Sequence, residues 1–270
     1  MDRRHVSSEN SEDTQWFFAD AEAPKAVAAV VHGLNMRPSK MGDIVEELRK
    51  AQVDVLRVAL TGHRGKEGEI KTVTRDVWLD DMADAYWTVS DRACAFDAPK
   101  YFVGYSLGGL LQVDLMQEQK HMRYDRMALF APALRLRNKT HMLRMLTKWM
   151  PRTWKIPSLN SFPGYFINHG LSAAAYHAVF DSYASVSSHE ALKIAGDIPT
   201  KVFIHPRDEL VSAAGLTEIV DQCPSWSIDP VERVRDSTRY GIFHLITDQK
   251  ALGDEEWNRV TLSMQQHFLS

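Results

Sequence analysis

Short apolar runs alternate along this chain with longer stretches in which apolar residues recur at helical spacing. The apolar runs predict strands at 26–31, 53–60, 100–103, 127–130, 201–205 and 226–234. The helical spacing predicts helices at 37–52, 74–96, 109–120, 213–220 and 255–269. Strands that alternate with helices in this way are typical of an α/β fold. We therefore expect a mostly parallel sheet with helices on both faces.

The alternation is interrupted between the strands predicted at 127–130 and 201–205. About seventy residues separate these two strands, far more than such a connection needs. The segment is helical in part and is broken by Pro151, Pro157 and Pro163. A connection of this length at the edge of a sheet favours a cap or lid. The predicted divisions are a loose polar tail at 1–15, a core at 16–130 and 200–270, and a largely helical cap at 131–199.

The predicted cap combines an apolar stripe with an excess of basic residues. Met142, Met145, Leu146 and Trp149 recur at helical spacing, and no carboxylate side chain occurs in 126–180. Two interpretations stay open. The cap is either a solvated basic face packed on the core, or a surface for acyl chains, anionic head groups or an anionic membrane leaflet. The candidate substrate-binding residues are Met145, Leu146, Trp149 and Phe162.

Composition and charge exclude several classes of protein. The formal net charge of −3 gives no reason to expect a nucleic acid partner. Cys94 and Cys223 do not form a disulfide framework, and we expect both to be reduced thiols. The chain shows neither an apolar run of membrane-spanning length nor an apolar secretory core near its start, so we expect a cytoplasmic protein.

Sequence patterns for metal and nucleotide sites are also missing from this chain. It has no H-E-x-x-H helix and no C-x-x-C pair, which are common sources of zinc ligands. It has no G-x-G-x-x-G or Walker string, which would cradle the phosphates of a nucleotide. We therefore expect no metal and no cofactor.

The string Gly104-Tyr105-Ser106-Leu107-Gly108 carries the clearest chemical signal. It lies between the strand predicted at 100–103 and the helix predicted at 109–120. A serine in a tight strand-to-helix turn, with a glycine two residues away on each side, is typical of a nucleophile elbow. The turn exposes the hydroxyl at the edge of the sheet. Ser106 is therefore the candidate nucleophile.

A serine nucleophile needs a base, and the base needs an acid that orients it. In folds of this kind the chain order is serine, then acid, then histidine. His244 and His267 are the histidines that satisfy this order, and His244 is the candidate base because it lies between the last predicted strand and the last helix. Asp208 follows the strand predicted at 201–205 and is the candidate acid, with Glu209 as its neighbouring rival.

Two backbone N–H groups are expected to form an oxyanion hole. One belongs to Leu107, directly after the candidate nucleophile. The other is expected in the loop His32-Gly33-Leu34-Asn35, where the glycine allows a close backbone approach and Leu34 supplies the N–H. His32 precedes the elbow in the chain, so we expect it to brace this loop and not to act as the base.

These motifs together resemble the α/β-hydrolase superfamily, in particular its monoacylglycerol lipase, lysophospholipase and carboxylesterase group. The residues that carry the resemblance are His32-Gly33-Leu34, Gly62-His63-Arg64-Gly65, Gly104-Tyr105-Ser106-Leu107-Gly108-Gly109, Asp208-Glu209-Leu210-Val211 and His244. The resemblance spans about 26–115 and 200–246, and it leaves out the predicted cap. It implies an eight-stranded sheet, Ser106 as nucleophile, Asp208 as acid, His244 as base, and ester hydrolysis without a cofactor. Pro206 stands where relatives often have glycine.

The leading hypothesis is a serine esterase or lipase that acts on monoacylglycerol-like or short to medium acyl esters. Its partners would be a small-molecule or lipid ester and, through the basic cap, the surface of an anionic membrane. The same catalytic residues would also suit a thioesterase, an amidase or peptidase, or an acyltransferase. A binding protein without catalytic activity is an alternative from a different class.

Overall fold

A mostly parallel sheet organises the part of the chain that the structure describes. The structure is a computed structural model and describes residues 11–66, 68–157, 164–187, 189–232 and 243–269. Its strands are β1 (Gln15–Phe17), β2 (Ala26–Val31), β3 (Val53–Val58), β4 (Lys100–Tyr105), β5 (Arg126–Phe130), β6 (Lys155–Pro157), β7 (Gly170–Ser172), β8 (Thr200–Ile204) and β9 (Trp226–Pro230). Its α-helices are α1 (Gly42–Lys50), α2 (Arg75–Cys94), α3 (Leu107–Glu118), α4 (Asn138–Thr147), α5 (Ala173–Val186), α6 (His189–Gly196), α7 (Ala213–Val220), α8 (Gln249–Leu252) and α9 (Asp254–Leu269).

The central sheet has the strand order β1-β3-β2-β4-β5-β8-β9. Every neighbouring pair in it is parallel except β1 and β3, which are antiparallel. Helices α1 and α9 pack together, and α2 packs on α3, so that helices cover both faces of the sheet. This arrangement confirms the α/β fold predicted from the pattern of apolar residues.

Within the described residues, the central sheet has fewer strands than the eight that the resemblance implies. The described residues form seven, beginning with the short edge strand β1. Ahead of it, at residues 11–14 of the stretch predicted as a loose tail, polar side chains bind the core. The Glu12 carboxylate accepts hydrogen bonds from Arg37 and Ser39, and Thr14 accepts one from the backbone N–H of Ala59.

The central strands are buried on both faces, which explains their continuous apolar sequences. All six residues of β2 are buried, and so are all but the first residue of β4. Such runs are typical of parallel strands that helices cover on both sides. The carboxyl ends of these strands therefore meet at a single edge of the sheet. Among the described helices, none is both long and apolar enough to cross a bilayer.

The segment 131–199 contains two kinds of structure. Helix α4 is followed by a small antiparallel sheet in which β6 pairs with β7. Helices α5 and α6 then pack on α3, the helix that follows Ser106. The segment is therefore partly helical, as the sequence predicts, and part of it belongs to the helical layer over the sheet.

A buried ion pair joins α2 to α3. The Arg75 guanidinium donates to both carboxylate oxygens of Asp114, at 2.8 and 2.6 Å, and the Asp114 side chain is fully buried. Arg75 also donates to Glu118 and to Ser185 of α5. Two parallel hydrogen bonds to a carboxylate fix both distance and orientation. The contact therefore holds three helices in register behind the serine.

Candidate active site

Ser106 lies in a strained turn between β4 and α3. Its φ is 49° and its ψ is −103°, a conformation that costs a non-glycine residue about 1–3 kcal/mol. A Cβ at Gly104 would lie 2.7 Å from the Gly109 nitrogen, and one at Gly108 would lie 2.6 Å from the Val31 carbonyl oxygen. Both approaches are too close for any side chain. Glycine is therefore required on both sides of the serine, as the elbow motif predicts.

The structure brings Ser106, His244 and Asp208 together in one hydrogen-bonded chain. His244 Nε2 lies 2.9 Å from Ser106 Oγ, and His244 Nδ1 lies 2.7 Å from Asp208 Oδ2. A carboxylate only accepts hydrogen bonds, so Nδ1 carries the proton and donates it to Asp208. Nε2 is then left with a lone pair that accepts the serine hydroxyl. This is the geometry that general-base activation of a serine requires.

Asp208 is held as a carboxylate inside the protein. Its side chain is fully buried, and Oδ1 accepts hydrogen bonds from the backbone N–H groups of Leu210 and Val211 at 2.9 and 2.8 Å. Burial by itself would raise the pKa of Asp208, but the charge and hydrogen bond of His244 and the two N–H donors outweigh it and lower the pKa. Asp208 therefore stays ionised at neutral pH.

The contact that lowers the pKa of Asp208 raises the pKa of His244. Burial favours the neutral imidazole, but the Asp208 carboxylate attracts the imidazolium more strongly and raises the pKa of His244 above its usual value. The carboxylate of Glu209 contributes in the same direction as Asp208. The histidine is therefore a stronger base than a free one.

Glu209, the rival candidate for the acid, and His267, the rival candidate for the base, make other contacts. Glu209 accepts a hydrogen bond from the backbone N–H of Phe243 at 2.8 Å, which ties it to the loop that carries His244. His267 lies in α9, with Nε2 at 3.0 Å from the carbonyl oxygen of Met127. Neither side chain makes a described hydrogen bond to the Ser106 hydroxyl or to the imidazole. Asp208, and not Glu209, is the carboxylate bonded to His244.

The loop after β2 lies directly against the serine turn. We call residues 33–36 the Gly33 loop. A Cβ at Gly33 would lie 2.7 Å from the Tyr105 ring and 3.3 Å from the Ser106 Cβ. Among the described residues, the N–H groups of Leu34 and Leu107 have no hydrogen-bond acceptor. One of these N–H groups lies in the loop that packs against the serine turn, and the other directly follows the serine, as two donors of an oxyanion hole would.

Two buried histidines support the Gly33 loop. His32 Nδ1 donates to the Gly33 carbonyl oxygen at 2.8 Å, and Nε2 accepts from Leu60 N–H at 3.2 Å, as expected for a bracing residue. The His63 ring lies 4.6 Å from the His32 ring, and its Nε2 accepts from Asn35 N–H at 2.8 Å. Burial lowers the pKa of His32 to about 4 and the pKa of His63 well below its usual value. Both rings are therefore neutral and able to accept.

Sequence reasoning did not identify Asn35, His63 or Asn168 as parts of this site. Their contacts join three loops that are far apart in the chain. A single asparagine in a loop belongs to no motif of fixed spacing, so the sequence does not indicate its role. The Gly62-His63-Arg64-Gly65 string was a partial hint, because a glycine-rich loop after β3 must reach the same edge of the sheet.

Three of the four candidate substrate-binding residues lie at the protein surface. Met145, Leu146 and Trp149 are 74%, 59% and 85% exposed, and Lys148 Nζ lies 5.6 Å from the Trp149 ring. No described contact joins them to Ser106. Phe162 lies outside the described residues. Among the described residues, no cluster of three or more His, Cys, Asp or Glu side chains forms a metal site.

Comparison with known proteins gives one family and several similar structures. The family model described as serine aminopeptidase, S33, matches residues 22–173, more than half of the chain. Phospholipase YtpA of Bacillus subtilis (strain 168) is 27% identical over 124 residues, which are 45% of this chain and 46% of that protein. The chain thus matches less than half the length of this relative.

Two solved lipases have the same fold along nearly their whole length. A soluble variant of the monoglyceride lipase of Saccharomyces cerevisiae, in complex with a substrate analog, superposes with a TM-score of 0.75 at 14% identity and covers 97% of this chain and 96% of that one. The monoacylglycerol lipase of Paleococcus ferrophilus gives a TM-score of 0.68 at 15% identity and covers 94% and 99%. With the family match and this shared fold, the chain belongs to the serine aminopeptidase, S33, family of the α/β-hydrolase superfamily.

Proposed function

We propose that this protein is a serine hydrolase that cleaves carboxylic esters through an acyl-enzyme on Ser106. The observation that carries the proposal is the continuous hydrogen-bonded chain from Ser106 through His244 to Asp208, with distances of 2.9 and 2.7 Å. A buried carboxylate, an imidazole bonded to it and a partly exposed serine are the parts that general-base activation of a serine requires.

The acylation step follows from this geometry. Ser106 Oγ attacks the carbonyl carbon of the ester while its proton moves to His244 Nε2. The tetrahedral intermediate then breaks its bond to the leaving oxygen, which takes the proton from His244 and departs as the alcohol. Asp208 holds the imidazole in the required tautomer and stabilises the imidazolium between the two proton transfers.

Deacylation repeats these steps with water in place of the serine. The His244 imidazole removes a proton from water, whose oxygen attacks the acyl carbon, and the proton then returns to Ser106 Oγ as the carboxylic acid leaves. In both tetrahedral intermediates the negative oxygen would accept hydrogen bonds from the N–H groups of Leu34 and Leu107. Removing one such donor from an enzyme of this type costs about 100- to 1,000-fold in kcat.

For the substrate we propose a monoacylglycerol-like ester or an ester with a short to medium acyl chain. The similar structures include two lipases of monoacylglycerols, and the partial relative is a phospholipase. The exposed apolar side chains Met145, Leu146, Trp149 and Trp154 support contact with acyl chains, since they leave apolar area uncovered. Lys148 and Arg152 beside them would suit an anionic lipid surface.

Peptide or amide hydrolysis is the second candidate activity. The description of the matching family, serine aminopeptidase, favours it. The same proton transfers would release an amine in place of an alcohol. The chemistry of the site would also suit a thioesterase or an acyltransferase, and the fold would suit a binding protein without catalytic activity.

A panel of ester, thioester and anilide substrates tests these candidates. The panel contains p-nitrophenyl esters of increasing acyl length, monoacylglycerols, thioesters and aminoacyl p-nitroanilides, each assayed with the wild-type protein and with Ser106→Ala. We expect ester turnover that Ser106→Ala abolishes. Turnover of the anilides alone would establish the peptidase instead, and ester turnover that persists in Ser106→Ala would contradict the mechanism.

A further inference from the structure

A short part of the segment 131–199 pairs with the Gly33 loop. We call residues 164–168 the strap. Arg37 N–H donates to the Tyr165 carbonyl oxygen at 2.8 Å, and Ile167 N–H donates to the Asn35 carbonyl oxygen at 3.0 Å. Met36 and Phe166 lie opposite each other in an antiparallel bridge between these two bonds. The strap therefore covers the loop that carries the Leu34 N–H.

The Asn35 side chain extends this pairing by two further bonds. Its Nδ2 donates to the carbonyl oxygen of Asn168 at 3.0 Å, and its Oδ1 accepts from the N–H of Asn168 at 3.0 Å. The main chain of Asn168 offers one N–H donor and one carbonyl acceptor. It therefore pairs with the side-chain amide of Asn35 in only one orientation of that amide. Asn168 Nδ2 in turn donates to the Gly62 carbonyl oxygen at 3.2 Å, in the loop after β3.

The backbone of Asn35 is fixed as well. Its φ is 58°, in the left-handed region that asparagine tolerates better than most residues. Its N–H donates to His63 Nε2, and its carbonyl oxygen accepts from the strap. Every polar group of Asn35 is therefore bonded, and these bonds join the Gly33 loop to the strap and to the loop after β3.

These contacts set the direction of the Leu34 N–H through one planar peptide group. In a trans peptide the carbonyl and the N–H point in opposite directions. The Gly33 carbonyl oxygen accepts from His32 Nδ1 at 2.8 Å and from Met36 N–H at 3.2 Å. Fixing this oxygen fixes the N–H of Leu34 in the same peptide group. Met36, one of the two donors, lies between Asn35 and Arg37, where the strap is paired.

We infer that Asn35 is a positioning residue for the reaction, which locks the Gly33 loop to the strap and so aims the Leu34 N–H at the developing oxyanion. The inference rests on the proposed ester hydrolysis and deepens it. It means that the segment 131–199 contributes to stabilising the transition state through residues 164–168. Asn168 supports the same lock from the strap side.

The test compares the change in kcat with the change in KM when Asn35→Gly is measured against the wild type. Glycine adopts the left-handed backbone without strain and removes the whole Asn35 side chain, so the loop loses its two side-chain bonds to Asn168. With p-nitrophenyl butyrate we expect kcat to fall about 10- to 100-fold, somewhat less than for the loss of a whole oxyanion donor. KM should change less than about threefold, because ground-state binding does not use this N–H.

An inhibitor that mimics the tetrahedral intermediate provides a second readout. The affinity for an alkyl trifluoromethyl ketone should fall by the same factor as kcat, since its oxyanion occupies the same site. Asn35→Asp should lose as much as Asn35→Gly, because a carboxylate oxygen would face the Asn168 carbonyl oxygen. Asn168→Ala removes only the bond to Gly62 and should lose less than either.

Asp97→Gly is the matched control. Asp97 is also a non-glycine residue with a positive φ, 51°, and it precedes β4 at the far edge of the sheet. We expect its kcat and inhibitor affinity to equal those of the wild type. If Asn35→Gly keeps the wild-type kcat, or loses only thermal stability or KM, the positioning role is wrong. If the wild type hydrolyses no ester, or Ser106→Ala retains activity, the proposed function itself fails.

Discussion

At the scale of single residues, the site depends on how Asp208 and Ser106 are held. Asp208 is fully buried yet ionised, because two backbone N–H groups and His244 together stabilise its charge. Ser106 bears a local cost for its positive φ, which the packing of Gly104 and Gly108 against neighbouring backbone makes unavoidable. The contacts of Asp208 and the backbone conformation of Ser106 therefore each fix the position of a polar group in the site.

The first prediction at this scale concerns pH. The reaction needs a neutral His244, and the Asp208 carboxylate raises the pKa of His244 above its usual value of about 6.5. We therefore expect kcat/KM to rise with pH through a pKa above that value, with Asp208 ionised throughout because its pKa is lowered. A pH profile of p-nitrophenyl ester hydrolysis measures it. A flat profile from about pH 5 to 9, with chemistry limiting the rate, would count against His244 as the base.

The second prediction separates the two neighbouring carboxylates. Asp208→Asn should lower kcat by about 10,000-fold, because an amide at this position favours the wrong tautomer of His244. Glu209→Gln keeps an oxygen that can accept from the Phe243 N–H, so its kcat should stay within about tenfold of the wild type. Steady-state kinetics of both variants measure the difference. Equal losses would mean that Glu209 shares the role of the acid.

At the scale of elements, a further prediction concerns the ion pair between α2 and α3. Arg75→Ala leaves the fully buried Asp114 carboxylate without its guanidinium partner, and breaking a buried pair costs about 3–5 kcal/mol of unfolding free energy. Equilibrium urea unfolding measures this. Lys50→Ala is the control, since the Lys50 side chain is 60% exposed where it contacts Glu47 at 2.8 Å, and such surface pairs contribute about 0–1 kcal/mol. Similar values for both variants would show that the buried pair is no more important than a surface one.

Element boundaries show what the apolar pattern can predict. The run at 26–31 coincides with β2, because every residue of this strand is buried and burial favours apolar side chains. The helix predicted at 37–52 divides into a 3-10 turn at Pro38–Met41 and helix α1, since a proline fixes the first turn. Strand β1 and the pair of β6 and β7 were not predicted. Each has only three residues, too few for an alternation to be recognised.

Some residues of the candidate site can be identified from sequence motifs, and others only from contacts in the folded structure. Ser106, Asp208 and His244 could be chosen from the sequence because each follows a strand at the same edge of the sheet and their order in the chain is restricted. Asn35 and Asn168 could not be chosen, since their pairing joins residues far apart in the chain. The backbone dihedral angle of Asn35 and the carbonyl positions of Gly62 and Asn168 become visible only in the folded chain.

At the scale of the whole molecule, several exposed apolar side chains occur in the segment 131–199 that follows β5. Leu146 and Trp149 are 59% and 85% exposed, although large apolar side chains usually lie inside a protein. The formal net charge of the chain is −3, yet 127–180 has no acidic residue. An apolar and basic surface on a weakly acidic protein is consistent with the proposed contact with lipid.

The exposed side chains of Leu146 and Trp149 lead to a prediction about the acyl-chain length of the substrate. Leu146→Ala combined with Trp149→Ala should lower kcat/KM for long acyl esters far more than for acetate esters, since each buried methylene contributes about 0.8 kcal/mol. The melting temperature should hardly change, because both side chains are exposed in the fold. Equal losses on both esters, together with a fall in melting temperature, would show that these residues only pack the segment on the core.

Labelling with a fluorophosphonate, read by mass spectrometry, tests most directly whether Ser106 is an activated nucleophile. We expect one adduct per protein molecule, on the tryptic peptide 101–120 that contains Ser106. His244→Ala should slow the labelling strongly, because the serine then lacks its base, and Ser106→Ala should abolish it. Absence of labelling in the folded wild-type protein, or equal labelling of Ser106→Ala, would contradict the proposed mechanism.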